Sequence, residues 1–280
     1  MVAFPSCPPE ARSAAESVCG GPVELKELTN RRGSAVWKAT GPTSAVAVKT
    51  GYDDAVAVTV RETAMLNGLP GYEVTAGRYD GGAWLVTPWY DGPSTWQTFT
   101  TARADEGDRA PALRAAVDLC RAVADLHASG WIHADLQPAH GIHTPDGVRL
   151  IDFAWSRPET HGPVDGYRGG IVHLMAPELA QAARDKQPVL ATRQSDVYAL
   201  AGALWTCASG AWPLDYQTAG HDRQTAGPDG TRDAIATGSI PLAPPTWPAF
   251  HNALHPALTA LPEHRPTAAE LAQILLNIQA

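Results

Sequence analysis

The stretch HADLQPAH at residues 133–140, followed by LIDFA at residues 150–154, decides how this chain is interpreted. Each stretch places one aspartate, Asp135 or Asp152, beside leucine, isoleucine or phenylalanine. The chain on either side of them predicts the fold that would carry these carboxylates.

Upstream of these stretches the chain is rich in short strand patterns. They contain β-branched and aromatic residues and are separated by Gly, Asn or Pro. The predicted strands are VELKEL at 23–28, SAVWKA at 34–39, SAVAVKT at 44–50 and AWLVTPWY at 83–90. A single helix, VAVTVRETAML at 56–66, is predicted to start after Asp53 and Asp54 as capping residues and to stop before Gly68.

Beyond residue 91 the pattern becomes helical. APALRAAVDLCRAVADLHASG at 110–130 repeats apolar residues at helical spacing, and Thr267 with Glu270 forms a capping-box pattern before the last helix. A small strand-rich half followed by a larger helical half predicts an α+β fold with two lobes and a cleft between them. We place the lobes at residues 22–90 and 91–280.

The first residues, 1–21, carry Pro, Ser, Ala and Gly without a sustained period. Such a segment is typical of an extension rather than of a core, and we expect structure to start near Val23.

The overall composition excludes several classes of function. The formal net charge of −8 leaves no general basic field, so we expect neither nucleic acid nor an anionic membrane as a partner. The four cysteines lie far apart without zinc-ligand spacing, and no signal peptide or long apolar run is present. We therefore expect a cytoplasmic protein with reduced thiols; its oligomeric state is not predicted.

Phosphoryl transfer needs a cation for the phosphates, carboxylates for a magnesium ion, and a carboxylate that orients the attacking hydroxyl. Lys49 ends an apolar strand, Glu62 lies on the following helix, and Asp135 and Asp152 come later. A Lys and a Glu in such positions usually lie on a solvated surface, so this pair alone is weak evidence.

The stretches at 133–140 and 150–154 resemble the catalytic loop and the DFG turn of the protein kinase family. The resemblance continues through Ala176-Pro177-Glu178, the segment SDVYAL at 195–200, and Arg265-Pro266-Thr267. Several motifs in the right order are more specific than any one of them. The chain is thus similar to eukaryotic-like Ser/Thr kinases, which implies a bilobal kinase-like fold, the cofactors ATP and Mg²⁺, and a protein or peptide substrate.

The resemblance also implies residue roles. Lys49 would contact the α- and β-phosphates and pair with Glu62, Asp135 would be the catalytic base, and Asp152 would be the main magnesium ligand. Glu178 matches the residue that pairs with Arg265 in the larger lobe.

Nucleotide-binding positions follow from the same resemblance. Val36 and Ala47 would sandwich the adenine, Thr87 falls at the gatekeeper position, and the Pro88 carbonyl and Tyr90 amide would face the adenine edge.

The chain departs from the family where glycines normally approach phosphate. Thr29, Arg31 and Ser34 stand at the positions of the three glycines, and only Gly33 remains, in a shifted place. Arg31 or Arg32 could replace backbone contacts with side-chain contacts, or both could be exposed loop residues.

Further departures lie near the catalytic loop. His140 replaces the Asn that binds a second magnesium; an imidazole could coordinate Mn²⁺ instead, contact phosphate, or only pack near the cleft. Gln137 stands where a Lys helps neutralise the transferring phosphoryl, and Ala154 replaces the glycine of DFG. Ala134 removes the arginine that reads activation-loop phosphorylation in many kinases.

Three functions remain open from the sequence. The first is a Ser/Thr phosphotransferase, including a dedicated enzyme that phosphorylates a precursor peptide before elimination of the phosphate. The second is a pseudokinase that holds a nucleotide or partner without turnover. The third is a small-molecule kinase, which the segment at 176–178 disfavours.

Overall fold

The computed structural model describes residues 6–104, 108–167 and 170–278. The chain divides into two compact units, Met1–Tyr90 and Asp91–Ala280. The first unit contains a five-stranded sheet and the second is mainly helical. The predicted α+β fold, with a small strand-rich part before a larger helical part, is confirmed.

The sheet of the first unit is antiparallel throughout, with the strand order β1-β2-β3-β5-β4. Its strands are β1 (Glu24–Arg31), β2 (Ser34–Thr40), β3 (Ala45–Tyr52), β4 (Thr75–Tyr79) and β5 (Gly82–Pro88). Burial alternates along β2 and β3, as expected where one face of a sheet packs on a core. The buried side chains of that face include Trp37, Val46 and Val48.

A helix that the sequence did not predict covers this face. Helix α1 (Pro9–Val18) buries Ala11 and Ala15 completely, and Cys19 directly after it is equally buried in the same apolar cluster. The interpretation of residues 1–21 as an extension, with structure starting near Val23, is therefore wrong. Small side chains spaced four residues apart let the helix approach the sheet closely, and such a stripe carries little apolar signal in the sequence.

The segment that replaces the glycine-rich loop is a tight hairpin. Arg31 pairs with Ser34 across β1 and β2, which leaves only Arg32 and Gly33 in the turn. Both turn residues have positive φ, 54° and 76°, as a type I′ hairpin turn requires. A Cβ atom at Gly33 would lie 2.9 Å from the Tyr52 carbonyl oxygen, so the retained glycine serves the turn itself.

Strand β4 was also not predicted, because Gly77 interrupts its pattern. A Cβ atom there would lie 2.6 Å from the indole ring of Trp84 on β5, so glycine is the residue that lets the ring lie against the strand. Helix α2 (Ala55–Gly68) begins directly after Asp54, but the Asp54 side chain makes no capping hydrogen bond, so its predicted capping role is wrong.

The second unit consists mainly of helices with two short strand pairs. The helices are α3 (Thr95–Thr98), α4 (Thr100–Arg103), α5 (Ala110–Ala128), α6 (Pro177–Arg184), α7 (Arg193–Ser209), α8 (Arg223–Ala236), α9 (Pro248–Thr259) and α10 (Ala268–Leu276). The strand pairs are β6 (Trp131–Ile132) with β9 (Arg157–Pro158) and β7 (Gly141–Thr144) with β8 (Gly147–Leu150). In the described part of the chain, no helix is both long enough and apolar enough to cross a membrane.

Two predicted contacts of this unit are present. Thr267 and Glu270 form a reciprocal capping box at the start of α10. Arg265 donates two hydrogen bonds to Glu178, with distances of 2.6 and 2.8 Å. A bidentate guanidinium–carboxylate pair of this kind fixes the start of α6 against the segment that precedes α10.

A buried histidine in α9 is expected to make the second unit sensitive to acid. Burial lowers the pKa of His251, and the Arg109 guanidinium acts in the same direction. Below about pH 6.5 the unfolded chain therefore takes up a proton that the folded chain does not. The free energy of unfolding decreases as the pH is lowered. One such group contributes at most about 1.4 kcal/mol per pH unit.

We expect His251→Phe to weaken this loss of stability between pH 7 and pH 5 in urea unfolding. A phenyl ring removes the Nδ1 acceptor of the buried Trp247 N–H, 3.1 Å away, so the variant should be less stable at every pH, and the quantity compared is the change of stability with pH. His255→Phe, at an exposed position of the same helix, is the control and should keep the wild-type pH dependence. An unchanged pH profile in the His251 variant would contradict the prediction.

Candidate functional site

In the first unit, Lys49 and Glu62 form an ion pair. Nζ of Lys49 on β3 lies 2.5 Å from Oε2 of Glu62 on α2. The Glu62 side chain is only 5% exposed and that of Lys49 is 18% exposed, so this pair is not a solvated surface contact. The alternative, that Lys49 and Glu62 lie separately on a solvated surface, is thereby excluded.

The predicted nucleotide-binding residues share one face of the sheet with Lys49. Val36 lies opposite Lys49 across β2 and β3, and Ala47 lies opposite Thr87 across β3 and β5. Because side chains alternate along each strand, these four residues point away from the face that α1 covers. Apolar side chains beside a cation suit the base and the phosphates of a nucleotide.

The other predicted residues of this unit lie at its edges. Pro88 is the last residue of β5, and Tyr90 follows it at the end of the unit. Arg31 is exposed at the end of β1, where the two-residue turn begins.

In the second unit, Asp196 of α7 organises the loop that carries Asp135. Its Oδ2 and Oδ1 accept hydrogen bonds from the backbone N–H groups of His133 and Ala134, at 2.7 and 2.8 Å. Ala134 has a φ of 64°, an uncommon conformation for a residue with a Cβ atom. The buried carboxylate therefore holds a strained turn directly before Asp135, and His127 Nε2 lies 3.0 Å from the same carboxylate.

His133 fixes the backbone of this loop as a neutral ring. Burial lowers the pKa of His133 to about 4. Its Nε2 lies 3.2 Å from the Ile151 carbonyl oxygen, which can only accept, so Nε2 carries the proton. Nδ1 is then the acceptor for the Asp135 N–H, and the ring packs on Phe153 with centroids 4.9 Å apart.

The carboxylate of Asp135 is positioned by two neighbours. Gln137 Nε2 donates a hydrogen bond to Asp135 Oδ1 at 2.9 Å. A Cβ atom at Gly170 would lie 2.7 Å from the same oxygen, so the glycine leaves room for the carboxylate. Gln137 thus contacts the predicted base itself. The sequence had indicated only that Gln137 replaces a lysine that helps neutralise the transferring phosphoryl.

Asp135, His140 and Asp152 form a cluster that could hold a metal ion. One ligand atom from each of the three lies within 4.8 Å of the others. His140 Nδ1 is 2.8 Å from the Asp135 backbone carbonyl oxygen and must be its donor. In a neutral ring Nε2 is then unprotonated, and it lies 3.6 Å from Asp152 Oδ2. With a neutral ring, Nε2 and Asp152 Oδ2 both offer lone pairs to the space between them, and one cation would satisfy both.

The segment after Asp152 is held by side-chain contacts to backbone carbonyls. Arg157 is 4% exposed and donates to the carbonyl oxygens of Ala191, Pro158, Glu159 and His161. The Tyr167 hydroxyl donates to the Ala134 carbonyl oxygen at 2.7 Å. The side chains of Tyr167 and Ser156 are both buried.

Sequence reasoning did not assign roles to Gly170, Asp196 or Arg157. Asp196 lies within the SDVYAL motif, so the motif marks its position, while its contact with the loop before Asp135 is visible only in the fold. Gly170 and Arg157 act on residues more than 30 positions away in the chain, and no local pattern marks them.

No protein-family model matches the chain. Among curated proteins it is 28% identical over 194 residues to the probable serine/threonine-protein kinase PkwA of Thermomonospora curvata, covering 67% of this chain and 23% of that relative. It is 32% identical over 101 residues to the serine/threonine-protein kinase AfsK of Streptomyces griseus, covering 35% and 12%. It is 27% identical over 146 residues to the probable serine/threonine-protein kinase PknB of Lactococcus lactis subsp. lactis, covering 51% and 22%.

The chain thus spans less than a quarter of the length of these three relatives. Several such matches agree with the α+β fold, and together they support a protein-kinase-like family for this chain.

Proposed function

We propose that this protein is an ATP-dependent phosphotransferase that phosphorylates a Ser or Thr hydroxyl of a protein or peptide. The observation that carries the proposal is the cluster of Asp135, His140 and Asp152. It places a candidate base and candidate metal ligands together in one unit. The buried Lys49–Glu62 pair on the other unit supplies the cation that phosphate binding needs.

Each residue has one task in this proposal. Lys49 binds the α- and β-phosphates, with its ammonium group oriented by Glu62. Asp135 accepts the proton of the attacking hydroxyl, and Gln137 holds that carboxylate by a hydrogen bond. Val36 and Ala47 cover the adenine, Thr87 borders it, and the Pro88 and Tyr90 backbone groups face its edge.

Divalent metal ions neutralise charge on the phosphates during transfer. Asp152 would be one ligand of such an ion and Nε2 of His140 a second. Mg²⁺ prefers oxygen ligands, whereas an imidazole nitrogen suits Mn²⁺ and other transition metals better. The fixed Nδ1 hydrogen bond leaves Nε2 available as a ligand, so we propose that the site favours Mn²⁺ over Mg²⁺ relative to a site with an amide oxygen at this position.

Metal binding tests this proposal without an activity measurement. We expect His140→Asn to lower the Mn²⁺ to Mg²⁺ affinity ratio, measured by calorimetric titration with ATP present, by about tenfold, because one nitrogen ligand becomes an oxygen. Electron spin-echo spectroscopy of the Mn²⁺ complex should show a directly bound nitrogen in the wild type that the variant lacks. Asp152→Asn should weaken binding of both ions.

The control is His161→Asn, at an exposed histidine outside the cluster, which should retain the wild-type ratio and spectrum. An unchanged ratio in His140→Asn, together with no bound nitrogen in the wild type, would exclude His140 as a ligand. Absence of ATP-dependent metal binding in the wild type would contradict the nucleotide site itself.

The second candidate function is a pseudokinase that binds nucleotide or a partner without turnover. The observation that favours it is the tight β1–β2 hairpin, because Arg31 and Ser34 pair directly and leave few free backbone amides for phosphate. Loss of transfer on substitution of Asp135 distinguishes the two functions. A precursor-peptide substrate with later elimination is a narrower form of the first, and a small-molecule acceptor remains a third candidate.

A further inference from the structure

The second unit contains a large open cavity, and of its lining residues only Gln137 has a role in the proposed function. Its volume is about 1250 Å³, and one wall is the end of the catalytic loop, Gln137–Ala139. The facing walls come from residues after α7, including Trp212 and Tyr216, and from Trp96 of α3. A cavity of this size exceeds what a single small group would fill.

Two of the aromatic rings that line the cavity, those of Trp212 and Tyr216, are held in place by His173. His173 Nδ1 is 3.1 Å from the Tyr216 hydroxyl, and its ring lies on that of Trp212 with centroids 4.7 Å apart. Tyr216 is buried and Trp212 is partly buried. These contacts pre-organise the two rings, so a ligand that binds against them loses little freedom in the protein.

Carboxylates complete the lining. Asp215 and Asp222 both line the cavity, and the described lining residues include neither lysine nor arginine. Asp215 accepts hydrogen bonds from the N–H and the hydroxyl of Thr218, at 3.0 and 2.6 Å. These bonds lower the pKa of Asp215, so it is a carboxylate at neutral pH. Acidic groups beside aromatic faces suit a cation, because the face of an aromatic ring attracts positive charge.

One residue joins the cavity to the reaction. Gln137 lines the cavity and donates a hydrogen bond to Asp135 Oδ1. A polypeptide whose hydroxyl lies at Asp135 therefore has residues close in sequence within reach of the cavity, since each extended residue spans about 3.5 Å.

We propose that this cavity binds a lysine or arginine side chain of the polypeptide acceptor, close in sequence to the Ser or Thr that is phosphorylated. The proposal rests on the proposed function for its link to phosphorylation, while binding itself needs no turnover. Arginine is the better fit, because its planar guanidinium stacks on aromatic rings and bonds carboxylates bidentately.

The test is fluorescence anisotropy without nucleotide, at 0.15 M salt to suppress long-range attraction by the net charge of −8. The probes are labelled nonapeptides of Gly and Ala with a central Ser and one Arg at each other position in turn, compared with citrulline counterparts. Citrulline keeps the shape of arginine and removes its charge. At the best position we expect arginine to bind at least about tenfold more tightly than citrulline.

The double variant Asp215→Asn/Asp222→Asn should reduce this preference to less than about threefold, whereas Asp146→Asn/Glu263→Gln, which removes the same charge at exposed positions, should keep it. The amide oxygen of Asn at position 215 can still accept the Thr218 N–H bond, and its amide nitrogen can donate to the Thr218 hydroxyl, so the loop keeps its fold. Trp212→Leu should weaken binding of the arginine peptide more than binding of the citrulline peptide.

Equal affinity for the two peptides, or a preference that survives the double variant, would overturn the cavity proposal. Such a result together with phosphate transfer to the Ser peptides would leave the proposed function intact. Conversely, arginine-selective binding by a protein that transfers no phosphate would support the cavity and contradict the phosphotransferase.

Discussion

Asp135→Asn is expected to lower the rate of phosphate transfer from ATP by about 10³-fold, the usual loss when a general base is removed. The side chain keeps its size, and its amide oxygen can still accept the hydrogen bond from Gln137 Nε2. The fold should therefore be unchanged. The measurements are transfer of labelled γ-phosphate to a Ser-containing acceptor and thermal unfolding of both proteins.

Asp146→Asn is the matched control, because it makes the same chemical change at an exposed position between β7 and β8. It should retain wild-type transfer. Equal transfer by Asp135→Asn and the wild type would mean that Asp135 is not the base. No transfer by any of the three proteins, with ATP bound, would favour the pseudokinase.

Arg157→Met is expected to lower the free energy of unfolding by about 3 kcal/mol or more. The guanidinium is buried and donates hydrogen bonds to the carbonyl oxygens of Ala191, Pro158, Glu159 and His161. Each buried acceptor that loses its partner costs about 1–3 kcal/mol, reduced where water can enter. Chemical denaturation of the wild type and the variant measures the difference.

Arg184→Met, at an exposed position of α6, provides the comparison and should change stability by less than about 0.5 kcal/mol. The segment after Asp152 should also become more mobile in the Arg157 variant, which amide hydrogen exchange of residues 157–161 would show. Similar stability of the two variants would mean that the carbonyls find other partners or water.

The parts of the fold that the sequence predicted well are those with strong local patterns. Strands β2 and β3 and the capping box at Thr267 belong to this group, since alternation and capping are short-range signals. The Lys49–Glu62 pair also appears as predicted, because its two residues lie on adjacent elements of the first unit.

The features that the sequence did not predict depend on packing or on contacts between distant segments. Helix α1 buries a stripe of Ala and Cys, and small side chains look neutral in a sequence although they pack tightly in a core. The contacts of Gly170 with Asp135 and of Arg157 with Ala191 join segments that are distant along the chain. Tertiary structure creates such contacts, and local pattern cannot contain them.

Helix α1 also bears on the order in which the first unit can form during synthesis. The helix leaves the ribosome before the sheet, yet it contacts β3, β4 and β5, the last of which ends at Pro88. An isolated helix of this length is marginal in water, so α1 has no stable surface to bind until the sheet exists. Its docking therefore closes a loop of some 70 residues late in folding, and the apolar sheet face around Trp37 stays open to other nascent chains until then.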